Sequence, residues 1–163
     1  MVKFKKAKTA AALMAAALAA LLLLGGCSGG KDAAKAEIDP EKLGQELYDS
    51  GCFGQDIFEV DSGVIESMYG ELEGVQAAKV YASSGASANE IAVFRAADKA
   101  GAEKIYQAAS QRLEDRKLAY EDYLPEEAKK LESALLRQEG SCVVFCVAED
   151  APGAEKIVDS YFE

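Results

Sequence analysis

The sequence predicts an α+β domain in which a short, mostly antiparallel sheet is packed by helices. Segments rich in β-forming residues occur at 75–83, 89–96 and 142–148, and segments with a helical apolar period lie between and around them. The first two β segments are joined by a few small residues, a connection typical of an antiparallel hairpin. The apolar face of such a sheet has to be covered, and the predicted helices supply the cover.

Two helices are predicted at the start of this domain. Asp39 suits an N-cap and Pro40 the first helical position, after which Leu43 and Leu47 share one face until the helix ends near residue 50. A second, short helix is predicted over Ser62–Gly70, and its buried side is predicted to consist of Val64, Ile65, Met68 and Tyr69.

A hairpin is predicted next, with strands over Val75–Ser83 and Asn89–Ala96 and a loop of small residues over Ser84–Ala88. Small polar residues on loops often carry recognition. The candidate binding residues are therefore Ser84, Gly85, Ser87, Asn89 and Glu90. The alternative interpretation is that these residues form an ordinary turn.

Two consecutive helices are predicted after the hairpin. Asp98 caps a long helix whose apolar seam is Ala102, Ile105, Ala109, Leu113 and Tyr120. Leu124-Pro125 ends this helix, because proline disfavours the helical region for the residue before it. A second helix is predicted over Glu126–Leu136, with Ala128, Leu131 and Leu135 buried.

The last predicted strand, Cys142–Ala148, is apolar on both faces, which is typical of an interior strand covered on each side. Asp150 and Pro152 then open a final helix, whose apolar residues are Ile157, Val158, Tyr161 and Phe162.

The first 26 residues are predicted to be a lipoprotein signal peptide. Four lysines precede an apolar run over 10–24 that ends in Leu24-Gly25-Gly26-Cys27, a sequence that resembles a lipobox and predicts lipidation of Cys27. This run is shorter than the roughly 20 apolar residues of a membrane-spanning helix. An ordinary secreted protein is the next alternative. We therefore expect residues 27–38 to form a lipidated tether and residues 39–163 a single domain at the extracytoplasmic face of the cell membrane.

The charge of the mature chain disfavours anionic partners. After Cys27 there are 14 basic and 28 acidic side chains, a net charge of −14. Nucleic-acid phosphates and anionic headgroups repel such a surface. The predicted membrane contact is therefore the lipid anchor, and nucleic acid is excluded as a partner.

The composition also limits the chemistry. The chain has no His and no Trp, which removes the commonest general base, the commonest metal ligand and every Ser-His or Cys-His arrangement. The acidic segment over 56–63 does not place a Glu at the twelfth position of a calcium loop, so a solvated acidic loop is the preferred interpretation. We predict no catalytic residue, no cofactor and no metal site.

Three cysteines remain besides Cys27. Cys142 and Cys146 lie on one face of one strand, roughly 13 Å apart, and a disulfide needs Cα atoms within about 7 Å. Cys52 could pair with either of them. The preferred interpretation is that both strand cysteines are small buried hydrophobic residues.

Several segments in a fixed order carry a family resemblance: Met68-Tyr69-Gly70, Lys79-Val80-Tyr81, Gly85-Ala86-Ser87-Ala88-Asn89-Glu90-Ile91-Ala92-Val93 and Tyr123-Leu124-Pro125. With them the chain resembles a family of short uncharacterised lipoproteins of Gram-positive bacteria that share a domain of unknown function. The similarity covers most of the chain from Asp39 onward and the lipobox. It implies export, anchoring and a single domain, and it brings no known activity, substrate or cofactor.

Two classes of function follow from these observations. The first is a non-enzymatic binding or accessory module at the membrane, whose partner is an envelope protein or a small solute. The second is an envelope enzyme that uses carboxylates or thiols, for instance a redox protein built on Cys52, Cys142 and Cys146. The absence of His and of any catalytic motif favours the first class.

Overall fold

A five-stranded antiparallel sheet forms the centre of the computed structural model, which describes residues 37–162. The strand order is β1-β2-β3-β5-β4. The strands are β1 (Ile57–Glu59), β2 (Val75–Ser83), β3 (Glu90–Ala96), β4 (Leu135–Glu139) and β5 (Cys142–Val147), and the helices are α1 (Pro40–Asp49), α2 (Ser62–Tyr69), α3 (Lys99–Glu121), α4 (Pro125–Leu131) and α5 (Ala151–Phe162). This architecture confirms the predicted α+β class.

Helices cover both faces of the sheet. The core on one face joins the sheet to α1 and α5, and its central members are Leu43, Leu47, Ile91, Val93, Val144 and Val158. The core on the other face joins it to α2, α3 and α4, and includes Tyr69, Phe94, Ile105, Ala109, Leu131 and Phe145. Strand β5 contributes alternate residues to both cores, which confirms the prediction of an interior strand.

Aspartate caps fix the starts of three helices. The carboxylate of Asp39 accepts from the Glu41 amide at 3.1 Å, and that of Asp61 accepts from the Val64 amide at 3.0 Å. Asp98 accepts from the Gly101 amide at 2.8 Å. These bonds satisfy amide groups that have no partner within the helix. They confirm the predicted starts of α1, α2 and α3.

The predicted helix over Glu126–Leu136 is wrong beyond Leu131. The chain turns there and forms β4, in which Leu135 lies opposite Cys146 of β5. Gly140 joins β4 to β5 with a φ of +59°, a conformation that glycine adopts without strain. Pairing with the buried strand β5 overrides the local helical pattern, since the ladder forms only in the folded chain.

Two smaller differences concern the acidic segment and α2. The three-residue strand β1 was not predicted, because only Ile57 within it is buried. Val64 was predicted to lie on the buried side of α2, yet 42% of it is exposed, whereas Tyr69 is buried. A helix of only eight residues at the sheet edge buries a narrow stripe, and Val64 lies outside it.

The predicted signal peptide, the lipidation site Cys27 and the tether up to residue 36 lie outside the described residues. Within residues 37–162, no helix combines the length and the apolar character that crossing a membrane requires.

Candidate functional site

The loop between β2 and β3 divides into an exposed tip and a buried base. Ser84, Gly85 and Ala86 are exposed, and Gly85 has a φ of +98°. Ser87, Asn89 and Glu90 are buried, and Glu90 has no exposed surface at all. The structure therefore leaves Ser84 and Gly85 open to a partner. The other three candidate binding residues have partners within the chain.

The base of the loop is held by the Glu90 cluster, which consists of Tyr69, Glu90, Arg112 and Arg116. Arg112 donates from Nε to Oε1 of Glu90 at 2.8 Å and from Nη2 to Oε2 at 2.7 Å. Arg116 Nη1 donates to Oε2 at 2.7 Å, and the Tyr69 hydroxyl donates to Oε1. Burial raises the pKa of Tyr69 well above its ordinary value, and the neighbouring Glu90 charge adds to the shift.

The same face of α3 fixes the backbone of the loop. Arg116 Nη1 donates to the Ala88 carbonyl at 3.1 Å, and the Tyr120 hydroxyl donates to the Ser87 carbonyl at 2.8 Å. From α4, the Glu127 carboxylate accepts from the Ala88 amide at 2.6 Å. Two helices and two strands thus hold the segment that supports the exposed tip.

A second polar group, the Asn89 cluster, lies beside it and consists of Asp56, Asn89, Lys130 and Glu149. Asn89 Nδ2 is 3.3 Å from Asp56 Oδ1 and 3.3 Å from Glu149 Oε1, and Asn89 Oδ1 accepts from Lys130 Nζ at 3.1 Å. Hydrogen bonds from Ser87 and from Asn89 lower the pKa of Asp56. Both polar atoms of the Asn89 side-chain amide therefore bind neighbouring segments of the chain, and they fix the residue that precedes β3.

This arrangement is suited to holding a surface rather than to acid–base chemistry. A general base has to reach its substrate proton within hydrogen-bond distance. The Glu90 carboxylate is enclosed, and its oxygens accept from two guanidinium groups and a phenol. The geometry gives a preorganised tip above a rigid polar base.

The three described cysteines are free and buried thiols in the core beneath α1 and α5. Burial raises the pKa of Cys142 to about 12 and also raises that of Cys146. The thiolate is the reactive form of cysteine, and burial disfavours it. Their environment matches the interpretation of small hydrophobic residues, and Cys52 is not bridged to either of the others.

No group of three or more potential metal-ligating side chains occurs within residues 37–162. Two acidic residues of the segment that was considered as a calcium loop have structural partners. Asp61 caps α2, and Glu59 pairs with Lys79 at 2.8 Å.

Sequence reasoning missed the groups that hold the loop. Arg112 and Arg116 lie four residues apart on α3, on the same side as the apolar seam that was identified. Two arginines on the apolar side of a helix need an acidic partner. Their spacing could therefore have predicted a buried carboxylate. Gly54 also escaped notice: a Cβ there would lie 2.7 Å from Nδ2 of Asn89, so a larger residue would displace side chains of the Asn89 cluster.

Comparison with known proteins identifies one family. A family model described as a domain of unknown function (DUF4358) matches residues 54–148, a range that includes all five strands, the Glu90 cluster and every member of the Asn89 cluster except Glu149. No curated protein and no solved structure matches the chain.

Proposed function

We propose that this chain, which belongs to the family of the domain of unknown function DUF4358, is a lipid-anchored, non-enzymatic binding module at the extracytoplasmic face of the cell membrane. One observation carries the binding role: an exposed loop tip stands on a buried base whose polar groups are bonded within the domain. A tip that is already ordered loses little conformational entropy when a partner binds, which favours recognition.

The lipid anchor is supported by the sequence Leu24-Gly25-Gly26-Cys27 after a short apolar run. Acylation of Cys27 with more than one chain would hold the protein firmly, because a single chain binds membranes only marginally. The eleven residues of 28–38 would span about 17–20 Å as a flexible coil, which exceeds the Debye length of about 8 Å. The acidic domain would therefore stand clear of the anionic headgroups.

Metabolic labelling with an alkyne fatty acid tests the anchor. The native chain is expected to incorporate the label and to fractionate with membranes, whereas Cys27→Ala is expected to lose the label. Labelling that persists in Cys27→Ala contradicts acylation at this residue.

In-cell photo-cross-linking tests the binding role. A photo-reactive amino acid in place of Ser84 reports on the tip, and the same group in place of Ser160, an exposed serine on α5, is the matched control. We expect one dominant adduct from position 84, little from position 160, and loss of the adduct in the Cys27→Ala background. Equal adducts at both positions contradict recognition by the tip, and no adduct at either position contradicts a protein partner and leaves a small solute as the partner.

An envelope protein or a small solute is the partner class in this proposal. A dominant protein adduct supports the former. The alternative of a thiol enzyme is disfavoured by the burial of Cys52, Cys142 and Cys146, and the thiol measurement in the Discussion tests it directly.

A further inference from the structure

Half of the outer edge of β2 has no neighbouring strand in the described part of the chain. The ladder between β1 and β2 pairs Ile57–Glu59 with Tyr81–Ser83, and one further bond joins the Val60 amide to the Val80 carbonyl at 3.1 Å. No strand lies beside Val75–Lys79 on that side within residues 37–162. This open stretch is at the opposite end of β2 from the hairpin tip.

The backbone of Ala78 offers hydrogen-bonding groups at this edge. Because the Val80 carbonyl points towards β1, the alternation of a strand directs the amide and carbonyl of Ala78 to the same side. On its inner side Ala78 lies opposite Phe94 of β3, in the position that does not exchange ladder hydrogen bonds. Its outward donor and acceptor are therefore available to an added strand.

An apolar groove of about 280 Å³ runs beside this edge, between α2 and the start of β2. Its apolar lining consists of Ile65, Leu72, Val75 and Ala78, all of them partly buried. The volume falls below the roughly 300–1,000 Å³ of small-molecule pockets. The groove suits the side chains of a peptide better than a separate ligand.

The charge of the rim selects the kind of peptide. Glu66 and Glu71 line the groove and are exposed, and no basic side chain is among its described lining residues. An extended segment with basic side chains would complement these carboxylates, and an acidic one would be repelled.

We propose that the open edge of β2 binds an extended peptide segment of a partner protein in which apolar side chains alternate with Lys or Arg. The segment adds a strand beside Ala78, its apolar side chains enter the groove, and its basic side chains lie near Glu66 and Glu71. Strand addition obtains affinity from backbone hydrogen bonds and specificity from pockets for alternate side chains. This surface is distinct from the hairpin tip, so it goes beyond the proposed function.

Titration of a fluorescent six-residue peptide of alternating lysine and valine, followed by anisotropy with the full chain in detergent, tests the proposal. We expect saturable binding, at least tenfold weaker binding of a glutamate–valine peptide, and at least tenfold slower amide exchange of Ala78 in the complex. The double variant Glu66→Lys/Glu71→Lys is expected to weaken binding at least tenfold. Glu155→Lys, on an exposed part of α5, is the control for charge reversal and should change affinity less than twofold.

Ala78→Pro removes the outward amide without removing a ladder bond to β3, and it is also expected to weaken binding tenfold. Should this variant fail to fold, the Glu66→Lys/Glu71→Lys variant still decides the question, because both residues are exposed. No binding of the lysine–valine peptide, or equal binding by these variants and the native chain, overturns the proposal. Self-association of the chain through this edge also overturns it. The tip experiment on Ser84 is independent of all these outcomes.

Discussion

Arg112 donates two hydrogen bonds to the carboxylate of Glu90, from Nε to Oε1 at 2.8 Å and from Nη2 to Oε2 at 2.7 Å. The contact ties the first residue of β3 to the middle of the long helix α3, and it lies entirely within the domain, since Glu90 has no exposed surface. A paired arrangement of this kind fixes orientation as well as distance. It determines where the hairpin lies against α3.

Removal of the Glu90 charge should therefore destabilise the domain strongly. Glu90→Gln leaves two partly buried guanidinium groups without their anion. Breaking a fully buried pair typically costs about 3–5 kcal/mol, and we expect a loss towards the lower end of this range. Urea unfolding measures the loss. The control is Glu114→Gln, because the exposed pair between Glu114 and Lys117 contributes less than about 1 kcal/mol. A loss below about 1 kcal/mol in Glu90→Gln would show that the cluster contributes little.

The hydroxyl of Tyr120 is expected to restrain the loop rather than the fold. It donates to the Ser87 carbonyl at 2.8 Å and also lies 3.3 Å from the Gly85 carbonyl, so Tyr120→Phe removes hydrogen bonding worth about 1 kcal/mol. Amide exchange at Gly85 should accelerate, while exchange in the buried strand β5 should change only in proportion to the loss of stability. Unchanged exchange at Gly85 would mean that the hydroxyl does not order the tip.

The features predicted correctly from the sequence are those encoded locally. Asp39 and Asp98 each precede a helix that they cap, and Cys142–Ala148 carries apolar residues on both faces. Such signals need no knowledge of the remaining chain.

The features that were missed depend on contacts distant in sequence. Residues 135–139 form a strand only because β5 lies beside them, and their local pattern indicated a helix. Glu90 was predicted to be a polar loop residue, whereas in the structure it is a buried partner of Arg112 and Arg116. The sequence supplies both halves of the Glu90 cluster but not their proximity, which the hairpin and α3 create together.

The three thiols should not react with a disulfide reagent in the native protein. Cys52, Cys142 and Cys146 are at most 8% exposed, so a colourless disulfide reagent such as dithiobis-nitrobenzoate should not reach them. In the full chain carrying Cys27→Ala, we expect no rapid reaction at neutral pH and the reaction of all three thiols in urea. Rapid reaction of any native thiol would instead support the redox alternative.

Alkaline pH should weaken the fold partly through Cys142. Burial raises the pKa of this thiol from an ordinary 9.0 to about 12, so the folded chain holds the proton to higher pH than the unfolded chain does. This contribution to stability is complete below pH 9 and is lost as the pH rises from there through about 12. Cys142→Ala should flatten the fall of unfolding free energy between pH 9 and 11, by at most about 1.4 kcal/mol per pH unit. An unchanged slope in urea titrations would contradict the shift.

Gly44 is expected to be required for the packing of α1 against Lys79. A Cβ at this position would lie 2.6 Å from Cγ and 2.9 Å from Cβ of Lys79, whose ammonium group is held at 2.8 Å by both Glu41 and Glu59. Overpacking costs about 1–3 kcal/mol, which exceeds the gain of up to about 1 kcal/mol that alanine brings to a helix. Gly44→Ala should therefore lower the free energy of unfolding.

The origin of that loss can be separated from helix propensity. Gly63→Ala in α2 is the control for helix propensity: the nearest atom to its Cβ, Oδ1 of Asp61, lies at 3.3 Å, so this variant should cost less than Gly44→Ala, whose Cβ would lie 2.6 Å from Lys79. Lys79→Ala removes Cγ, the nearer of the two atoms that the new methyl group would meet, and keeps Cβ at 2.9 Å. Gly44→Ala should therefore cost less in the Lys79→Ala background than in the native one. In this double-mutant cycle the two changes should not be additive, whereas changes at independent sites are. Equal costs in both backgrounds would assign the loss to α1 itself and not to its contact with β2.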